Sequence, residues 1–208
     1  MPPERVLADP PPGTAIEADL LDEAITRGRG VELVDGILVE KPIGARDEHI
    51  AMWIGHLILA FAVERQLGTV YGSQGGMRFR VGLVRMPDVS FFRWDSVDNP
   101  DDLEDPDGAF VEVPPDLAVE VLSPGNTPKE MAIKLGEYAA AGVNLVWYVD
   151  PDRKEVTVYP KGKERGKKVL GLDEVLDGGT VLPGFTLPVA TIFAKRAPAK
   201  KPGRKGKK

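Results

Sequence analysis

The sequence predicts a mixed α/β domain in which a sheet of parallel and antiparallel strands is flanked by helices. Three features predict it. An Asp35-Gly36 pair lies between two β-rich runs at 31–34 and 37–40, the strongest short-range signal for a hairpin. Residues 46–66 place His49, Ile50, Trp53, Ile54, Leu57, Ile58 and Phe61 three and four apart, the spacing of one helix face. An apolar run at 117–122, a helical stretch at 127–141 and a second apolar run at 146–149 make a strand–helix–strand unit. One crossover helix is therefore expected, not a regular βα repeat.

In chain order, a proline-rich leader (residues 1–15) precedes a body of residues 16–194 and a basic tail (195–208). Ile16, Leu20, Leu21, Ala24 and Ile25 recur at helical spacing, and Gly28 and Gly30 end that N-terminal helix. After the hairpin and the long helix, which Gly68 stops, strand signals recur at 69–71, 77–81 and 88–92. Residues 95–116 hold nine acids, four prolines and no base, which predicts a long solvated loop. The crossover helix has Asn126 or Thr127 as N-cap and Gly142 past its end. Asp150-Pro151-Asp152 then turns the chain into a strand at 156–159.

Composition removes several function classes. At 208 residues the chain can bury roughly 70% of its unfolded surface, so a core needs no covalent staple. Without cysteine there is no disulfide scaffold, cysteine nucleophile or thiolate zinc site. Two histidines are too few for a histidine-rich zinc site, so any metal is expected on oxygen ligands. The net charge of −5 conceals a division, because the tail carries eight Lys/Arg and no acid, which leaves −13 on residues 1–194. That pattern predicts a folded acidic domain and a disordered arm that folding does not need. The first twelve residues lack the apolar stretch of a signal peptide. The longest apolar run, 57–63, falls far short of the ~20 residues of a membrane helix, so a cytoplasmic protein is expected.

Acids inside apolar strands carry the chemical signal, because a buried charge must be paired or bind metal. Asp88 leads into Val89-Ser90-Phe91-Phe92, and Glu120 sits between Val119 and Val121. If their strands pair, both carboxylates reach one end of the sheet and can share a Mg²⁺, which takes few protein carboxylates and keeps water and phosphate. Each acid alone is also compatible with an exposed sheet face. Glu32 in the hairpin is a candidate third oxygen ligand, and His49 lies near the start of the long helix. Lys134 and Tyr138, four apart on the crossover helix, share a face from which the ammonium could neutralise charge on a phosphate oxygen.

These residues carry a resemblance. Glu32-Leu33-Val34-Asp35-Gly36, the histidine at a helix start and Met86-Pro87-Asp88-Val89 come in order. They are followed by Asp116-Leu117-Ala118-Val119-Glu120-Val121-Leu122-Ser123-Pro124, Lys134 with Tyr138, Ala141-Gly142-Val143 and Trp147-Tyr148-Val149-Asp150-Pro151. Over residues 16–193 the chain resembles the Uma-two family of the PD-(D/E)XK restriction-endonuclease-like superfamily. The resemblance implies a restriction-endonuclease-like core and Mg²⁺-dependent hydrolysis of DNA phosphodiesters, with Mn²⁺ as a substitute ion. It matches Asp88 and Glu120 to the metal ligands, with the Val121 carbonyl as a further one. It matches Glu32 to the acid that precedes the core strands, and it admits a homodimer.

One position departs from the pattern. The superfamily motif has lysine two residues after the acid, and here that residue is Leu122. Leucine cannot orient water or neutralise an oxyanion, so Lys134 is the candidate migrated lysine. Its ammonium is expected to reach the Asp88/Glu120 site, and Lys134→Met is expected to leave folding almost intact. The alternative from another class is a catalytically inactive nuclease-fold module that binds nucleic acid or protein. A glycosidase with paired carboxylates ranks third, because only three Trp and four Tyr are available to line a sugar cleft.

Overall fold

The computed structural model describes residues 3–26, 28, 30–41, 44–104 and 108–195. The basic stretch from 196 onward lies outside the described residues, and so does its expected disorder. A 3₁₀ turn, Pro3–Arg5, leads to α1 (Glu17–Thr26), β1 (Val31–Val34), β2 (Ile37–Glu40), α2 (Ala45–Glu64) and β3 (Gly68–Gly72). Next come β4 (Met77–Arg80), β5 (Leu83–Arg85), β6 (Val89–Arg93), α3 (Asp101–Glu104), β7 (Leu117–Val121), α4 (Pro128–Ala141) and β8 (Leu145–Asp150). The chain closes with β9 (Glu155–Pro160), β10 (Lys168–Leu170), β11 (Val175–Asp177), β12 (Thr186–Pro188) and α5 (Val189–Phe193).

A six-stranded sheet in the order β10-β9-β8-β7-β6-β3 forms the body. Only β7 and β8 run parallel, and α4 is the crossover between them. β7 is buried throughout because both its faces are covered, and it is apolar except at Glu120. Leu117, Val119 and Val121 pack with Ile50, Ile54 and Ile58 of α2, while Ala118 packs with Met131, Leu135 and Tyr138 of α4. The sheet is thus sandwiched between α2 and α4, and Glu120 falls on the α4 side. β11, β12 and α5 extend the α2-side core through Leu176, Leu187, Val189 and Ile192.

The N-terminal hairpin does not join that sheet. It forms a separate four-stranded sheet, β2-β1-β5-β4, in which β5 pairs with β1. The turn has positive φ at both Asp35 (50°) and Gly36 (76°), which matches the right-handed twist of the strands it joins. Gly36 is required for a second reason, since a Cβ there would meet the Gly13 backbone at 2.7 Å.

Two sequence expectations need correction. On α1 the expected stripe holds in part: Leu20 is buried and Leu21 packs beside it, but Ile16 and Ile25 are exposed (61% and 79%) and Glu23 is buried. The acidic segment is not a solvated loop throughout. Leu103, Phe110 and Val111 are buried, and Val111 bridges to Met77, so apolar anchors hold parts of it against the small sheet. The leader also packs, with Val6 bridging to Val39 and the Leu7 amide donating to the Leu38 carbonyl at 2.9 Å.

α4 starts at a full capping box. The Thr127 hydroxyl accepts from the Glu130 amide at 3.2 Å, and the Glu130 carboxylate accepts from the Thr127 amide at 3.3 Å. Thr127→Ala should therefore cost about 1 kcal/mol. In a domain of this size that lowers Tm by about 2–4 °C, read by calorimetry. An unchanged Tm would show that the cap does not set the start of this helix.

Candidate active site

The site lies where the small sheet meets the α4 face of the large one. The β6–β7 register pairs Val89 with Val119, which brings Asp88 abreast of Glu120 at the next step. The Val121 amide donates to Asp88 Oδ2 at 2.7 Å and fixes that carboxylate at the sheet end. Asp88, Glu120, Val121, Glu32 and Lys134 all line one polar cavity of about 20 Å³, room for a single water or ion. An outer cavity of about 240 Å³ adjoins it, and Lys41, Asp88 and Val121 line both.

Lys134 reaches in from α4 and is buried between two carboxylates. Its Nζ is 2.7 Å from Glu120 Oε1 and 3.0 Å from Glu32 Oε1. The Tyr138 hydroxyl, one helical turn on, donates a short hydrogen bond to the same Glu120 oxygen. Glu32 is further held by the Met86 amide at 2.9 Å and by Arg85 Nη1 at 2.8 Å. Arg85 is itself buried and pairs through Nη2 with Glu137 of α4 at 2.6 Å. The result is a chain of alternating charge, Glu137–Arg85–Glu32–Lys134–Glu120, that stitches the small sheet to α4 and to β7.

Burial and charge act oppositely along this chain. Burial alone would raise the Glu32 carboxyl, but Lys134, Arg85 and Lys41 outweigh it and hold Glu32 well below the usual carboxylate range. At Glu120 burial wins over Lys134, with Asp88 and Glu32 adding repulsion, so its carboxyl is raised. Burial disfavours the Lys134 ammonium, yet Glu120 and Glu32 more than compensate and keep it protonated. Burial, then Glu120, raise Tyr138 far above its ordinary value, so it remains a donor. Glu120 is thus held less firmly as an anion than Glu32, with the protonated Lys134 beside it.

The structure brings Asp88, Glu120, Val121, Glu32, Lys134 and Tyr138 together. His49 is not among them: it is exposed on α2 and lines neither cavity. Leu122, following β7, packs against the apolar cluster that contains Met131 and Leu135. The ammonium therefore comes from α4 and not from β7. Because Lys134 is buried between two carboxylates, the expectation that Lys134→Met leaves folding intact does not hold; stranding both anions costs about 3–5 kcal/mol.

Sequence reasoning missed three basic residues of the site. Arg85 interrupts the apolar run Leu83-Val84-Arg85-Met86, the same signal that marked Asp88 and Glu120. Lys41 Nζ is 3.0 Å from Asp88 Oδ1 and 2.5 Å from the Met86 carbonyl, and nothing in the sequence around it signals that role. Arg5 lines the inner cavity, donates to the Glu40 carbonyl at 3.1 Å and pairs closely with Glu130.

The donors around the inner cavity are oxygens, the set that suits Mg²⁺ or Mn²⁺. Among the described residues, no three His, Cys, Asp or Glu side chains converge as a metal-binding group. An ion here would take one or two carboxylates and leave the remaining positions to water and phosphate, which is how Mg²⁺ is usually held. On this test the residues fit such an ion.

A mixed sheet that presents two acids from adjacent strands at one end, with a lysine beside them, is the layout of a restriction-endonuclease-like nuclease fold. Comparison with known proteins agrees. The Uma2 family model, described as "Putative restriction endonuclease", matches residues 18–190, and the chain belongs to this family. A crystal structure described as "a putative nuclease belonging to DUF820", from Anabaena variabilis, is similar in fold, with a TM-score of 0.67 at 19% identity. The alignment covers 78% of this chain and 89% of that one. The search of curated proteins found no match. Among the described residues, no helix is long and apolar enough to cross a membrane.

Glu32→Gln should cost about 3–5 kcal/mol at pH 7, because it leaves Arg85 and Lys134 short of a buried anion. Glu32 has a lowered native pKa, so its contribution is complete above the unfolded value of about 4.3 and is lost as pH falls toward the native one. Urea unfolding at pH 7 and pH 3 should show the gap between wild type and variant narrowing at the lower pH. A gap of constant size would remove Glu32 from the role of buried counter-ion.

Proposed function

We propose that this protein is a Mg²⁺-dependent endonuclease that hydrolyses DNA phosphodiester bonds, with Mn²⁺ able to replace Mg²⁺. The observation that carries the reading is the Lys134 ammonium 2.7 Å from Glu120, in a cavity that Asp88 also lines. Family membership supports nucleic acid as the substrate class. Asp88 and Glu120 would hold the ion, with the Val121 carbonyl as a third oxygen. When bound, the ion acidifies a water and polarises the phosphate.

The chain's own residues supply the rest. Lys134, kept protonated by its two carboxylates, neutralises charge that develops on a phosphate oxygen. Glu32, bound to Lys134, Arg85 and the Met86 amide, positions the lysine. Tyr138 holds the Glu120 carboxylate in place. Charge balance supports the same reading. Asp88, Glu120, Glu32 and Glu137 face Lys41, Lys134 and Arg85, an excess of one negative charge. A divalent ion turns that excess into one positive charge, the complement of a phosphodiester.

Two observations favour a catalytically inactive nucleic-acid- or protein-binding module as the second reading: Leu122 replaces the motif lysine, and each of these carboxylates already has a basic partner. Nicking of supercoiled plasmid in Mg²⁺ or Mn²⁺ separates the two. The wild type should nick, and EDTA should stop it. Lys134→Gln, assayed well below its melting temperature, should lose about 10²–10³ in rate. A wild-type protein that neither nicks plasmid nor binds either ion by calorimetry would be the inactive module.

A further inference from the structure

The inner and outer cavities are divided by one ion pair. Lys41 Nζ is 3.0 Å from Asp88 Oδ1, with side-chain exposures of only 10% and 18%. The same ammonium also donates to the Met86 carbonyl at 2.5 Å, while the other oxygen of Asp88 accepts from the Val121 amide at 2.7 Å. Both oxygens of this carboxylate are therefore committed, one of them to a positive charge. Lys41 sits just past the end of β2, in the small sheet, and Asp88 just before β6, in the large one, so packing of the two sheets presses the pair together.

We propose that Lys41 is a resident counter-cation that competes with the divalent ion for Asp88 and so sets how tightly this site takes metal. The inference rests on the reading that Asp88 is a metal ligand. An ammonium and a divalent ion cannot share one carboxylate at contact distance without strong repulsion, because like charges a few ångströms apart in a half-buried site interact far more than in water. The ion must displace Lys41 or bind beside it, and either way its affinity falls. Lys41 lines the outer cavity as well as the inner one, so space to receive the displaced side chain adjoins the pair. Lys41 is a positioning residue in this scheme, and it acts through Asp88.

The test is calorimetric titration of Mn²⁺ into the metal-free full chain, wild type against Lys41→Met, with Lys41→Gln in its place should the methionine variant fail to fold. The neutral variant should bind Mn²⁺ at least about tenfold more tightly, whereas Lys41→Arg, which keeps the charge, should stay within about threefold of wild type. Loss of a merely structural contact would not tighten metal binding. Adding Asp88→Asn to the neutral variant should abolish the gain, and a gain that survives it overturns the proposal. Wild-type binding with equal or weaker binding in the neutral variant also overturns it and leaves the metal reading standing. No Mn²⁺ binding in either protein removes the metal reading itself, and the role of Lys41 with it.

Discussion

Lys134 is buried where it can exist only as an ion between ions, and much of the molecule is arranged to make that tolerable. An ammonium in a protein interior loses several kcal/mol of hydration, which close and well-oriented carboxylates must offset. Glu120 lies on β7 of the large sheet and Glu32 on β1 of the small one, so satisfying Lys134 ties the two sheets together. The requirement then propagates. Glu32, once buried, draws in Arg85, and Arg85 in turn draws in Glu137 from the same helix that carries Lys134. Each member lacks enough partners without the next, so the network forms as a unit once α4 has docked between the sheets.

The departure from the usual motif follows from the same geometry. A strand lysine two residues beyond Glu120 would stand on the α4 side, where Leu122 now meets the apolar cluster formed with Met131 and Leu135. That cluster continues through Tyr138, which holds Glu120, and it seats α4 on the sheet. Moving the ammonium onto α4 frees the strand position for packing and places the charge on a helix whose start is fixed by the Thr127–Glu130 capping box. The exchange has a chemical consequence. The lysine is anchored by two carboxylates, Glu120 and Glu32, which together keep it protonated.

What the sequence made legible divides along physical lines. Asp88 and Glu120 stood out because a charge in an apolar run is costly, and Lys134 and Tyr138 because a four-residue interval fixes a shared helix face. The crossover unit 117–149 was legible because its signals are local. The second sheet was not, since β5 is three residues long and its pairing with β1 spans some fifty residues of chain. Lys41 and Arg5 were invisible for a different reason: each lies at the edge of an element, where a basic residue is usually solvated, and only tertiary packing turns it inward. Arg85 was legible in principle, because it breaks an apolar run as plainly as Glu120 does. Apolar spacing misled on α1, where Glu23 and not Ile25 faces the core.

The N-terminal segment adds a constraint from outside the family-matched region. Residues 3–7 precede the matched region 18–190, yet they run beside β2, where Val6 bridges to Val39 and the Leu7 amide meets the Leu38 carbonyl. That pairing carries Arg5 to the inner cavity, where it ties Glu130 at the start of α4 to the Glu40 carbonyl at the end of β2. The cavity behind it measures only about 20 Å³, too small for a phosphate group, whereas the adjoining space at Lys41 and Asp88 measures about 240 Å³. Access to the acids is therefore easier from the outer cavity, past Lys41, than from the side that Arg5 covers. That path is lined by Asp47 and Glu48 as well as Lys41 and Asp88, and Glu120 and Lys134 line the inner cavity beyond it. An anion entering this way meets more acid than base in the outer cavity, with Lys41 as its counter-charge there, in keeping with a body whose first 194 residues carry an excess of acid.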